Sequence, residues 1–216
     1  HERSTMKYVV LILIFLQCTG HLVFEDSFDA GRSNWETNPS SLWEVITVDG
    51  ENIFHLKEPG KQGAVRAPTS RAIFTPVEVE SFELSVQAKC LTDTTNKRRD
   101  ICLFFGYQDS MRYYYAHFSA ISDQVHNIIG LVNNADRVKI NHEPAGASAA
   151  KLTHPGWYTL RVVRNADTGE IKAFVDDDPE AVLTATDKTF LKGKIGIGSF
   201  DDPAYFRHVI LEVNKK

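Results

Sequence analysis

The sequence predicts an all-β protein, a two-sheet antiparallel β-sandwich of the jelly-roll type. Short apolar or alternating runs recur along the chain, with turn residues such as Asp49-Gly50 and Pro59-Gly60 between them. No window of about 12 residues sustains the helical period of 3.6. The hydrophobic share of 43% and the charged share of 24% are ordinary for a globular chain. Many short strands without helices are expected to pack as two stacked sheets.

The predicted strands follow one another along most of the chain. The clearest pair is a hairpin, in which 161–165 and 171–175 are joined by the four-residue link 166–169. The full set of predicted strands is 22–29, 43–48, 53–57, 63–67, 72–76, 82–91, 101–108, 112–119, 126–132, 156–165, 170–175, 181–184, 193–200 and 207–213.

Residues 1–20 are interpreted as a leader, and residues 21–216 as one jelly-roll domain. Met6 and Lys7 give a positive start, and the apolar stretch 8–17 is too short to span a bilayer, as in a signal peptide. The residues before that methionine are excluded from the fold. Cys18 loosely fits a lipoprotein cleavage box, so a lipid anchor at Cys18 and plain export are both left open. Either route predicts a secreted, periplasmic or cell-surface protein.

The formal net charge of −4, with no basic stripe, argues against a nucleic-acid partner. The basic run 97–99 precedes Asp100 and is interpreted as a solvated hairpin tip. Cys90 and Cys102 flank this hairpin, and a disulfide between them is conceivable in an exported protein. Strand alternation, however, places Cys90 on a core face and Cys102 on the opposite face. The disulfide is therefore left open.

Residues 111–119 carry the most functional information. Because side chains alternate across a strand, Tyr113, Tyr115, His117 and Ser119 share one face, and 114, 116 and 118 form an apolar face. Aromatic rings beside hydrogen-bonding groups suit a sugar, which has apolar faces and polar rims. A solvated outer strand with incidental aromatic residues is the alternative.

Aromatic and glycine-containing motifs recur over nearly the whole chain after the leader, at 24–28, 35, 43, 104–109, 113–117, 157–162, 174–177 and 193–202. Together they resemble the concanavalin A-like lectin/glucanase superfamily. Within it they are most similar to laminin G-like jelly rolls of secreted bacterial proteins, including the 3-keto-disaccharide hydrolase domain group. The resemblance implies a glycan ligand, since the superfamily contains lectins, hydrolases, lyases and adhesion modules. The Glu-x-Asp-x-x-Glu strand of its retaining glucanases is absent.

The candidate site combines aromatic, basic and amide side chains. His126 opens the strand after His117 and could stand beside it in a simple hairpin. Arg66 lies in 63–68, which resembles the Arg-x-Pro element of these jelly rolls. The residues predicted to be catalytic are His117, His126, Tyr113 and Tyr115. Those predicted to bind substrate are Arg66, Gln87, Lys89, Asn127, Asn133 and Arg137.

Such a cationic set suits an anionic sugar, whose carboxylate needs positively charged partners. It also suits β-elimination from a uronate, with tyrosine or histidine as base or acid. A structural calcium ion is the one cofactor considered. Glu25, Asp26, Asp201 and Asp202 lie near the chain ends, and first and last strands are commonly neighbours in jelly rolls, so their oxygens could hold a hard cation. Ordinary turn aspartates are the alternative.

Three functions are left open. The favoured one is an exported protein that binds or processes a carbohydrate on its concave face, with a glycoside hydrolase-like activity as the catalytic version. The second is a polysaccharide lyase that cleaves an anionic glycan by β-elimination. The third is a non-catalytic structural or adhesion module.

Overall fold

A computed structural model describes residues 21–142 and 152–214. The predicted leader, with its signal peptide and the anchor site at Cys18, lies outside the described residues. One turn of 3-10 helix occurs at Ser40–Leu42. The strands are β1 (His21–Asp26), β2 (Trp35–Asn38), β3 (Trp43–Val48), β4 (Glu51–Leu56), β5 (Ser70–Phe74), β6 (Phe82–Cys90), β7 (Asp100–Asp109), β8 (Arg112–Ser119), β9 (Ile128–Asn133), β10 (Val138–Lys139), β11 (Asn141–His142), β12 (Tyr158–Asn165), β13 (Glu170–Val175), β14 (Leu183–Thr186), β15 (Lys194–Ser199) and β16 (Ala204–Asn214).

These strands form two antiparallel sheets, which confirms the predicted all-β sandwich. The nine-stranded sheet has the order β11-β14-β13-β12-β6-β16-β4-β3, and β1 pairs with β16. The seven-stranded sheet has the order β10-β9-β8-β7-β15-β5-β2. The first and last strands are neighbours, as expected. Within the two described ranges, no helix has the length and apolar character needed to cross a membrane.

The main core lies between the two sheets and is built from their inward-facing side chains. Strand β6 shows the alternation, because Phe82, Leu84 and Val86 are buried and the residues between them are partly exposed. Removing each such side chain from water contributes roughly 1.5–3 kcal/mol. Trp43 is buried in the same core, with its ring centroid 4.8 Å from that of Phe54.

A second apolar cluster, the outer cluster, lies on the other face of the seven-stranded sheet. It contains Ile73, Cys102, Phe104, Tyr113, Tyr115, Ile128, Val132 and Phe200. The alternation predicted for 113–119 is confirmed, since Tyr114 packs in the main core and Tyr113 and Tyr115 pack in the outer cluster. Both outer tyrosines are nevertheless fully buried. Val65 and Ala67 pack on this cluster from a segment that crosses it.

That covering segment comprises residues 57–69. It includes the predicted strand 63–67, and this prediction is wrong because the backbone there is irregular. Its polar groups bond to loops instead of to a neighbouring strand. The Arg66 N–H donates to Asp136 Oδ1 at 2.7 Å, and the Arg66 carbonyl accepts from the Arg137 N–H at 3.0 Å. The segment therefore lies over the sheet and brings Arg66 next to Arg137.

In the basic run 97–99 before β7, Lys97 and Arg98 are exposed and Arg99 is not. Arg99 and Asp100 are fully buried, so the predicted solvated tip is wrong for these two residues. The Arg99 guanidinium donates to the carbonyl oxygens of Thr92 and His154, each at 3.1 Å. Two loop carbonyls thus replace the water that the charge would otherwise require.

Cys90 and Cys102 are free thiols that lie in different layers. Cys90 belongs to the main core and Cys102 to the outer cluster, as the alternation of their strands indicated. No disulfide joins them.

The substitution Gly130→Ala is expected to lower the free energy of unfolding by about 2 kcal/mol. Gly130 lies opposite Tyr115 in the β8–β9 pair, and a Cβ there would be 2.3 Å from Tyr115 Cε1. The buried ring has little room to move away. Urea unfolding measures the loss, and in a Tyr115→Val background the penalty should fall below about 0.5 kcal/mol. An equal penalty in both backgrounds would contradict the proposed clash.

Candidate functional site

A cavity of about 630 Å³ opens where β8 and β15 end, and it is named here the Phe200 cavity. Its wall combines the covering segment and the end of β8 with four loops. The lining residues are Arg66, Asn96, Arg98, His117, Asp123, Val125, His126, Arg137, Phe200, Asp201 and Asp202. Four of the residues predicted from sequence to bind or catalyse, at 66, 117, 126 and 137, therefore converge on one cavity.

Phe200 supports the two arginines of the cavity. The guanidinium carbon lies 4.9 Å from the Phe200 ring centroid for Arg66 and 4.6 Å for Arg137. The Arg66 guanidinium also donates to Gln62 Oε1 at 3.1 Å. No ion pair links either guanidinium to a carboxylate within the described ranges. Each arginine thus keeps hydrogen-bond donors for a ligand while its aromatic contact limits its movement.

His126 stands beside His117, as predicted, with ring centroids 5.7 Å apart. Its Nδ1 lies 2.8 Å from Asp123 Oδ2. Burial alone would raise the pKa of Asp123. Backbone N–H donation from Val125 and the contact with His126 outweigh it and lower that pKa to about 2. Asp123 therefore stays ionised and orients the His126 ring.

His117 lies at the cavity floor and is only 2% exposed. Its Nδ1 accepts the Asn127 backbone N–H at 3.1 Å, and its Nε2 lies 3.7 Å from Asp100 Oδ2. The accepting Nδ1 places the proton of the neutral ring on Nε2, facing Asp100. Both nitrogens are directed at protein groups, so the structure does not support His117 as a base toward substrate. It positions the loop that carries His126.

Asp100 anchors the far wall of the cavity. Its carboxylate accepts from Ser199 Oγ at 3.0 Å, from the Phe200 N–H at 2.7 Å and from the Asp201 N–H at 3.3 Å. Burial would raise its pKa, but the contact with His117 and these donors hold it below the usual value. A single buried carboxylate thereby fixes the backbone of 199–201.

Asp202 lies next to Asp100 in the same wall. Its oxygens accept from the Thr92 hydroxyl and, at 2.7 Å, from the Asp100 N–H. Burial and the charge of Asp100 raise the pKa of Asp202 to about 7. The same two causes raise the pKa of the more exposed Asp201. Asp202 can therefore carry a proton near neutral pH.

The catalytic assignment of Tyr113 and Tyr115 is not supported. Both side chains are fully buried beneath the covering segment, and neither lines the Phe200 cavity. Burial raises the pKa of Tyr113 to about 12 and that of Tyr115 well above the usual value. A buried phenol with a raised pKa is a poor proton acceptor at neutral pH. A lyase mechanism that uses either tyrosine as its base is therefore not proposed.

The remaining predicted binding residues lie elsewhere. Gln87 and Lys89 belong to β6 in the nine-stranded sheet, where Gln87 Oε1 accepts from Arg207 Nε at 2.8 Å. Asn133 is exposed at the end of β9, away from the cavity. Asn127 is buried and serves the site through its backbone contact with His117. Substrate contacts by Gln87, Lys89 and Asn133 are thus not supported in this cavity.

The predicted calcium ligands Glu25, Asp26, Asp201 and Asp202 do not form one site. Asp26 pairs with Val209, so seven residues of chain, on the order of 20 Å of extended backbone, separate it from Asp202. Asp26 instead accepts the Trp35 indole N–H at 2.9 Å. Oxygens of Asp201 and Asp202 lie within 4.8 Å of those of Asp100. The Asp100 carboxylate is already bonded to several protein donors, so this donor set does not fit a six- to eight-oxygen calcium site.

Sequence reasoning missed Asp100, Asp123 and Phe200. Asp123 carried a local signal, because an aspartate followed two residues later by a loop N–H is a common turn, and its Oδ1 accepts the Val125 N–H at 2.8 Å. Asp100 and Phe200 meet through contacts about a hundred residues apart along the chain. No pattern in the neighbouring sequence predicts such a contact.

Comparison with known proteins gives structural matches only. No family model and no curated protein matches the chain. A carbohydrate-binding module, CBM66 from Bacillus subtilis, superposes with a TM-score of 0.56 at 17% identity, covering 83% of this chain and 95% of that one. Lectin I-B4 from Griffonia simplicifolia gives 0.55 at 10% identity, covering 88% and 98%. The chain has a concanavalin A-like jelly-roll fold.

A putative glycosyl hydrolase from Parabacteroides distasonis shares this fold, with a TM-score of 0.51 at 9% identity, covering 89% of this chain and 94% of that one. The proteins that share the fold thus include lectins, a carbohydrate-binding module and a putative glycosyl hydrolase. At such identities the likeness establishes architecture alone. What this chain binds or catalyses depends on the residues of the Phe200 cavity.

Proposed function

We propose that the protein binds a carbohydrate in the Phe200 cavity. The observation that carries this proposal is the convergence of Arg66 and Arg137 on one ring, opposite the carboxylates of Asp123 and Asp201, in a cavity of about 630 Å³. A sugar hydroxyl both donates and accepts hydrogen bonds. A wall that alternates guanidinium donors with carboxylate acceptors matches a polyol on several sides at once.

The residues of the Phe200 cavity have different roles in binding the sugar. Arg66 and Arg137 donate to hydroxyl or ring oxygens, and Asp123 and Asp201 accept from hydroxyl groups. Phe200 contacts both guanidinium groups, so its role is to hold them in place. Such preorganisation lowers the ordering cost that weakens sugar binding by flexible side chains. The lectins and the carbohydrate-binding module that share the fold support this proposal.

The proposal is tested with a glycan array followed by calorimetry on the glycans that bind. Arg137→Gln is expected to weaken binding at least tenfold, because it removes a charged donor from the cavity. Arg161→Gln is the matched control, since Arg161 lies on the nine-stranded sheet, where it pairs with Glu83. The affinity of this variant for the glycan should stay within about twofold of the wild type. Absence of binding to every glycan, or equal losses in both variants, would overturn the proposal and favour a structural or adhesion module.

Glycoside hydrolysis is a second candidate, favoured by one observation. His126 lines the cavity, is held by the ionised Asp123, and is suited to transfer a proton to or from a bound glycan. The same glycan incubations supply its test, through the release of reducing ends. Hydrolysis that disappears in His126→Gln would support this candidate, whereas intact glycans after prolonged incubation would leave binding as the function.

A further inference from the structure

A second cavity, of about 660 Å³, lies on the other side of the covering segment and is named here the Arg71 cavity. Residues 65–67 separate the two cavities. Val65 and Ala67 line the Arg71 cavity, and Arg66 between them lines the Phe200 cavity. The two cavities therefore adjoin each other at three consecutive residues. A ligand longer than one sugar can reach both.

Arg71 lines the second cavity. Its guanidinium donates to the Pro68 carbonyl at 2.9 Å and to the Tyr113 hydroxyl at 3.2 Å, and it lies 5.3 Å from the Tyr113 ring centroid. These contacts are to uncharged groups. Because burial raises the pKa of Tyr113 to about 12, the phenol stays neutral and does not cancel the charge of Arg71.

No carboxylate compensates Arg71 directly. Within the described parts of the chain it forms no ion pair. Glu58 lines the same cavity together with Lys61, and those two side chains carry opposite charges. Glu36, on the neighbouring strand, does not pair with it either. A half-buried arginine without an anionic partner retains a net attraction for an anion that enters its cavity.

The two cavities differ in charge. The Phe200 cavity is lined by three arginines and three aspartates, whereas the Arg71 cavity is lined by two cations, Arg71 and Lys61, and one carboxyl group, that of Glu58. The Arg71 cavity has more apolar lining, including Pro59, Val65 and Pro68. Apolar walls beside a guanidinium group suit the ring face and the carboxylate of an acidic sugar.

We propose that the Arg71 cavity binds the carboxylate of an acidic sugar belonging to a glycan whose adjoining sugar occupies the Phe200 cavity. This inference rests on the proposed function. The guanidinium of Arg71 contacts the carboxylate, the apolar wall contacts the sugar ring, and the chain of sugars passes over residues 65–67. The anionic preference predicted from the sequence is thus assigned to Arg71, a residue outside the predicted set.

The test uses an array in which each uronate-containing oligosaccharide is printed beside its carboxyl-reduced counterpart, with calorimetry on the pairs that bind. The wild type is expected to bind the acidic member about tenfold more tightly. Arg71→Gln should abolish this preference and leave the reduced member bound as before. Arg137→Gln should weaken both members alike. If Arg71→Gln does not fold, Arg71→Lys is tested in its place. It keeps the positive charge and should retain part of the preference for the acidic member.

Salt provides an independent readout. Raising sodium chloride from 50 to 500 mM should weaken binding of the acidic member and leave the reduced member unchanged. Equal affinity for the two members, or a preference that survives Arg71→Gln in the folded protein, would overturn the inference and leave sugar binding in the Phe200 cavity intact. Failure of every glycan to bind would overturn both proposals.

Discussion

Asp100→Asn is expected to lower the free energy of unfolding by about 3–5 kcal/mol. The Asp100 carboxylate accepts from Ser199 Oγ and from the backbone N–H groups of Phe200 and Asp201, and it faces His117. An amide replaces one accepting oxygen with a donor, which places donors against donors in a fully buried position. Urea unfolding at neutral pH measures the change.

Asp109→Asn is the matched control because Asp109 lies on the same strand. Its side chain is partly exposed and pairs with Arg112 at 2.7 Å, so its replacement should cost less than about 1 kcal/mol. Asp100→Asn should also weaken glycan binding, since Phe200 loses the contact that holds it in place. Similar losses of stability in the two variants would show that Asp100 is not the anchor of this wall.

Asp202→Asn is expected to change how stability depends on pH. Asp202 has a pKa of about 7 in the folded protein, against 3.8 for the unfolded chain. Between these values the folded state keeps a proton that the unfolded state has released, so the wild type loses stability as the pH rises. Between pH 4 and pH 8 the free energy of unfolding of the wild type should fall by about 2–4 kcal/mol more than that of Asp202→Asn.

Unfolding free energies of both proteins across this range provide the measurement. The variant tolerates the exchange because its amide can donate to Thr92 and accept from the Asp100 N–H, as a protonated Asp202 would. Groups with lowered pKa, such as Asp123, act below pH 4 and fall outside the window. Parallel pH profiles for the two proteins would contradict the proposed proton on Asp202.

The sheets could be predicted from the sequence because alternation is a local property. The faces of 113–119 and the separation of Cys90 from Cys102 follow from a two-residue period and are confirmed. What covers a face is decided elsewhere in the chain. The outer tyrosines looked available to a sugar because their strand carries no information about the covering segment.

Parts of the site could be predicted for a similar reason. His117 and His126 share a hairpin, so their closeness follows from chain connectivity. Gln87 and Lys89 were correctly placed on a polar face, but the pairing of β6 with β16 puts that face in the other sheet. Arg99 and Asp100 looked solvated because charged residues in a turn usually are. Carbonyls and N–H groups distant in sequence satisfy them instead.

The separation of the two free thiols has a practical consequence. With one sulfur in each layer and neither linked to the other, the sandwich gains nothing from an oxidising environment. For the residues that the structure describes, reducing agents should therefore leave the fold unchanged.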